Sequence, residues 1–165
     1  MKPHIGDYGL VHTNGLIGKL IRIFLRSKVN HAFIYIGDGL IVEARPIGAT
    51  ASQLKKYQDK SITWSSEKFV YHDQRWEVAE RAKRLIGTPY DFLDILFLWL
   101  HNLGVTLHFV NKWVQRDDRM ICSQLVADCY AHVGLPLSDK HPSEVTPKDL
   151  YKRASGNAIS ISSTT

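Results

Sequence analysis

The stretch from His31 to Ala44 constrains this chain more than any other. His31 to Ile36 alternates and is rich in aromatic and β-branched residues, Gly37-Asp38-Gly39 is a turn signal, and Leu40 to Ala44 reads as a second strand. Two strands joined by so short a turn pair antiparallel, and such a hairpin needs further structure to bury one of its faces. A three-residue loop pairs Ile36 with Leu40, sets His31 opposite Arg45 and Glu43 opposite Phe33, and leaves His31 and Glu43 on one face as diagonal neighbours roughly 7–8 Å apart. A two-residue loop turns Glu43 to the other face, so this geometry hangs on the turn.

The remaining pattern supplies what the hairpin packs against. Ile5 to Val11, around Gly6-Asp7, reads as a short strand, and Ile62 to Tyr71 as a further strand region. Pro46 and Gly48 end the hairpin. Leu16 to Arg26 reads as an amphipathic helix, with Lys19, Arg22 and Arg26 opposite Leu16, Leu20, Ile23 and Phe24. Its basic face suits a membrane or an anionic substrate, although most such faces are simply solvated. Trp76 to Ile86 is helical and stopped by Gly87-Thr88-Pro89; Cys122 to Val133 is helical and closed by Gly134 and Pro136. The tail from Ser155 is small and polar, and reads as frayed or as a weak edge strand. With 165 residues, 44% of them hydrophobic, and no repeat or linker, the chain reads as one α+β domain spanning 1–165.

Cys122 follows the polar loop Arg116-Asp117-Asp118-Arg119 and opens its helix. At that position the free N–H groups and the helix dipole favour a thiolate, which is the nucleophilic form. Its backbone N–H can also donate to a developing oxyanion. Cys129, mid-helix among Val126, Ala127 and Val133, reads as a small buried hydrophobe. A histidine beside a carboxylate is the base-and-orienter half of a triad, although a hairpin His–Glu pair is more often an ordinary surface contact.

Other chemistries find less support. The two cysteines lie about 10 Å apart along one helix, beyond the reach of a disulfide. Cys122, Cys129 and His132 lack zinc-site spacing and no HExxH occurs, so neither metal nor cofactor is expected. The first residues lack the apolar core of a secretory signal, which suggests a cytoplasmic protein or one released without a cleaved signal. Phe92 to Val110 is apolar but broken by Asp94, His101, Asn102, Gly104 and His108, and reads as a buried helix or a hydrophobic lid, not a span. A net charge of +5 fits an anionic partner, but no nucleic-acid reading motif accompanies it, and nucleic acid is not expected.

Taken together, the motifs resemble the NlpC-like superfamily of papain-fold cysteine hydrolases, and within it the circularly permuted, YiiX-like branch, where the histidine strand precedes the cysteine helix. The resemblance rests on Gly6-Asp7, on Asn30 to Gly39, on Ile41-Val42-Glu43-Ala44, on Gly87-Thr88-Pro89-Tyr90-Asp91 and on Cys122-Ser123-Gln124-Leu125-Val126, in that order along residues 6 to about 136. It implies a small antiparallel sheet or barrel packed against helices. It also implies Cys122 as nucleophile, His31 as base, Glu43 as the residue orienting His31, and Tyr90 near the substrate or buried under the sheet. The glutamate departs from unpermuted members, many of which carry histidine there. The implied substrate is a peptide or cell-wall amide. The long apolar insert keeps two alternatives open: a lipid-linked substrate for a lecithin:retinol acyltransferase-like enzyme with peripheral membrane contact, and a non-catalytic binding module.

Overall fold

The computed structural model describes residues 2–14, 28–45, 48–65, 67, 71–89 and 122–159. Strands β1 (Tyr8–Val11), β2 (His31–Gly37), β3 (Leu40–Arg45), β4 (Gly48–Gln53) and β5 (Ile62–Ser65) form one antiparallel sheet in the order β4-β3-β2-β1-β5. A 3-10 turn, Leu54–Tyr57, leaves β4, and three helices follow: α1 (His72–Arg84), α2 (Cys122–His132) and α3 (Pro147–Ile159). The α+β expectation holds. The expected helix at Leu16 to Arg26, the apolar stretch Phe92 to Val110 and Tyr90 lie outside the described residues. Among the described residues no helix is long and apolar enough to cross a membrane.

Strand alternation sorts the core into two layers. Tyr8, Leu10, Ala32, Ile34, Val42 and Ala44 point to the helix side and pack with Val78 and Ala82 of α1, Leu125 and Cys129 of α2, and Leu150 of α3. Val11, Phe33 and Ile41 point the other way and are covered by Tyr57, with Tyr35, Leu54, Ile62 and Trp64 around them. Phe33 stacks on Tyr57 with centroids 5.2 Å apart and an interplanar angle of 6°, and meets Trp64 edge-on at 5.6 Å. Each aromatic pair adds about 0.5–1.5 kcal/mol beyond its buried area.

The hairpin keeps its expected register by an unexpected route. Phe33 pairs with Glu43, Ile34 with Val42 and Tyr35 with Ile41, but Leu40 pairs with Gly37 where Ile36 was expected, with a shift between Tyr35 and Gly37. Asp38 and Gly39 have φ of 50° and 70°, so the turn itself is the two-residue type with both central residues left-handed. A one-residue bulge at Ile36 restores the register that such a turn alone would have broken.

Other differences have local causes. Gly48, read with Pro46 as ending the hairpin, instead opens the strand Gly48–Gln53; GATASQ has one β-branched residue and no aromatic, and pairing along β3 overrides that weak propensity. β5 covers Ile62–Ser65 of the strand region expected from Ile62 to Tyr71, and residues 66 and 68–70 of it lie outside the described residues. Helix α1 begins before Trp76, with Gln74 Oε1 accepting from the Tyr71 backbone N–H at 3.0 Å. The tail from Ser155, expected to be frayed or an edge strand, continues the helix as far as Ile159: the backbone N–H and hydroxyl of Thr146 donate to Asp149 Oδ2 at 2.9 and 2.7 Å, the Asp149 N–H returns to Thr146 Oγ1 at 3.3 Å, and Leu150 and Ala154 are buried.

Gly6-Asp7 acts as a clasp between sheet and helices. The Asp7 carboxylate accepts from the His4 backbone N–H at 2.8 Å and from Arg75 Nη1 of α1 at 2.5 Å, while the Tyr130 hydroxyl of α2 donates to the Gly6 carbonyl at 2.7 Å. Gly6 has φ +85°, and a Cβ there would sit 2.6 Å from the Arg75 carbonyl oxygen. Gly6→Ala combines a left-handed backbone with a backbone clash. It is expected to cost roughly 1–3 kcal/mol, read as a lower urea midpoint at unchanged m-value.

Candidate active site

His31 opens β2 and Glu43 lies near the end of β3, both on the sheet face away from the main helical core. His31 Nε2 donates to Glu43 Oε2 at 2.8 Å. The imidazole also hydrogen-bonds the thiol group of Cys122. With Nε2 turned to Glu43, Nδ1 is the nitrogen left for the sulfur. Cys122 begins α2, which packs across β2 and β3, so the helix N-terminus reaches His31 where its strand begins. Cys122 and Glu43 are 4% and 0% exposed. The structure therefore brings together three of the four site residues expected from the sequence; the fourth, Tyr90, lies outside the described residues. The chain up to Pro89 is docked on β4: the Ala49 N–H donates to the Thr88 carbonyl at 2.8 Å, and the Gly87 N–H to the Ala49 carbonyl at 2.9 Å.

A fully buried carboxylate needs donors for its lone pairs. The Tyr57 hydroxyl donates to Glu43 Oε2 at 2.7 Å, the same oxygen that His31 engages. Lys56 Nζ pairs with Oε1, and the Ser52 side chain adds another hydrogen bond. Burial would raise the Glu43 pKa, but the hydrogen bonds from His31, Lys56 and Ser52 outweigh it and hold the carboxyl well below its ordinary range. For His31, burial would lower the pKa; the hydrogen bonds to Cys122 and Glu43 win and raise it from 6.5 to about 9. Burial, then the Glu43 charge, push the Tyr57 phenol upward, so it stays protonated and donating. Burial likewise pushes the Cys129 thiol far up, as expected of an inert core cysteine.

Sequence reasoning missed Lys56, Tyr57 and Ser52. Ser52 becomes visible once β4 is recognised: Thr50 is opposite Glu43, and Ser52, two residues on, shares its face. Lys56 and Tyr57 sit in a 3-10 turn whose approach to Glu43 no local pattern announces.

A cysteine at a helix N-terminus, set against a histidine–carboxylate pair on an antiparallel sheet with the histidine strand first in the chain, is the papain-like arrangement in permuted order. The chain belongs to the permuted papain-like amidase enzyme family YaeF/YiiX, C92, whose model matches residues 6–158. It is 23% identical to the probable lipoprotein peptidase YaeF of Escherichia coli strain K12, over 95% of this chain and 65% of that protein. The chain thus spans about two thirds of the length of this curated relative. The crystal structure of metalloprotein YiiX from Escherichia coli O157:H7 superposes with a TM-score of 0.59 at 20% identity, covering 84% of this chain and 71% of that one, and shows a shared fold. Among the described residues no group of three or more His, Cys, Asp or Glu side chains could hold a metal ion.

Proposed function

We propose that the chain is a thiol hydrolase that cleaves an amide bond in a peptide or cell-wall type substrate through Cys122, His31 and Glu43. The observation that carries this reading is the His31 ring, hydrogen-bonded to Glu43 through Nε2 at 2.8 Å and close enough to Cys122 to interact with its thiol. Membership of an amidase family and likeness to a probable lipoprotein peptidase support a peptide-type substrate.

The chemistry follows from the geometry. The Cys122 thiolate attacks the amide carbonyl carbon, and a carbon–sulfur bond forms. As the carbon–nitrogen bond breaks, the His31 imidazolium gives its proton to the leaving amine. Water then attacks the thioester while neutral His31 accepts its proton; the acid leaves and Cys122 is released as thiolate beside imidazolium. Glu43 fixes the ring orientation and stabilises the imidazolium. The Cys122 N–H, in the first turn of its helix, can donate to the oxyanion.

The test is the rate of thiol alkylation against pH, with the label located by mass spectrometry. Fast labelling at Cys122 near neutral pH, slowed about tenfold or more in His31→Ala, is the expected result. Slow labelling indifferent to His31 would falsify the assembled pair.

A further inference from the structure

Glu43 serves two cations, and only one of them is the histidine. Oε2 accepts from His31, and Oε1 from Lys56. The two lysine-side contacts are unlike a surface ion pair: Glu43 is 1% exposed at its side chain, Lys56 is 35% exposed, and the Lys56 ammonium lies 4.8 Å from the centroid of the Tyr57 ring, whose hydroxyl holds Oε2. Lys56 thus enters from the surface over the aromatic brace and ends on the buried carboxylate.

We infer that Lys56 is a positioning residue of this site, sharing the Glu43 carboxylate with His31 and thereby limiting how tightly His31 holds its proton. The inference rests on the Cys122–His31–Glu43 reading. His31 must release a proton to the leaving amine in the first half-reaction and accept one from water in the second. A buried carboxylate devoted to the imidazole alone would over-stabilise the imidazolium and hinder the first step, in which the proton must leave His31. A second cation on the other oxygen offsets part of that pull while keeping Glu43 ionised.

Among the described residues the groups facing His31 are Cys122 from α2, Glu43 from β3 and Tyr57 from the turn after β4. Beyond them, Lys56 and Arg45 are charges that act on Glu43 and Tyr57. Lys56 reaches His31 through one shared carboxylate, so its charge has a defined sign of effect. Removing it raises the proton affinity of His31, whereas removing the Glu43 charge lowers it.

The test is an NMR titration of the His31 ring in the full chain, its signals assigned by their loss in His31→Asn. Lys56→Met and Lys56→Gln are expected to raise the His31 midpoint by about half a unit or more. Lys56→Arg, which restores the charge, is expected to leave it within about 0.2 units of wild type. Glu43→Gln is expected to lower it. Lys56→Gln keeps a hydrogen-bond donor for Oε1 and decides the matter if Lys56→Met does not fold. A midpoint that stays or falls in Lys56→Gln, while Glu43→Gln lowers it, overturns the role of Lys56 alone. A midpoint indifferent to Glu43→Gln overturns the underlying triad.

Discussion

Cys122→Ala is expected to abolish turnover of a fluorogenic peptide amide, by about 10³-fold or more in kcat, whereas Cys129→Ala leaves turnover within about threefold. The two cysteines share one helix and both are buried, so they form an internal comparison. Cys122 stands at the helix start, against the His31 ring. Cys129 stands among core side chains, with burial holding its thiol protonated, and Cys129→Ala is a small cavity change. On the proposed mechanism the thioester forms on the Cys122 sulfur itself, so no neighbouring group can replace it. Mass spectrometry of the wild type mixed with an activated acyl ester provides the second readout: one acyl adduct, located at Cys122 and absent in Cys122→Ala. Turnover surviving in Cys122→Ala sinks the mechanism.

Glu43→Gln is expected to lower kcat/KM by about 10²–10⁴-fold and to move the basic limb of the pH profile below wild type. The sign follows from the two shifts. His31 is raised from 6.5 to about 9, so its contribution to stability is complete below about 6.5 and is lost as pH rises through about 9. Glu43 is lowered from 4.5, so its contribution is present above about 4.5 and is lost as pH falls through the folded value. Both are in force between about pH 4.5 and 6.5. Raising pH from 6.5 to 9 is therefore expected to lower the urea midpoint of the wild type, and less so in Glu43→Gln. The variant keeps the shape of the side chain but gives up the charge that stabilises the imidazolium, and its amide matches the Lys56 ammonium poorly. A basic limb unmoved in Glu43→Gln would mean that Glu43 does not act on His31.

These expectations depend on the outer sheet face as much as on the triad. Phe33 sits beneath Tyr57, and a Cβ on Gly9 would come within 2.5 Å of the Phe33 ring, so a side-chain-free residue in β1 makes room for it. Tyr57, stacked at 5.2 Å on that ring, delivers its hydroxyl to Glu43. The Glu43 carboxylate is thus braced from behind by a stacked aromatic pair, which is a common way to fix a buried side chain.

The amino-acid sequence by itself determined the parts that depend on local pattern. Alternation and a short glycine turn marked the hairpin, the helix boundary marked Cys122 as different from Cys129, and the register placed Glu43 opposite Phe33. Even there the turn was resolved by structure, since a two-residue loop and a bulge gave the register expected of a three-residue loop. Tertiary structure alone decided the rest. β4 forms because β3 offers an edge to pair with, α3 continues because Leu150 and Ala154 find the core, and Lys56 and Tyr57 meet Glu43 because the chain turns back after β4. Strand pairing, burial and the filling of a buried carboxylate's lone pairs are non-local, and no window of neighbouring residues carries them.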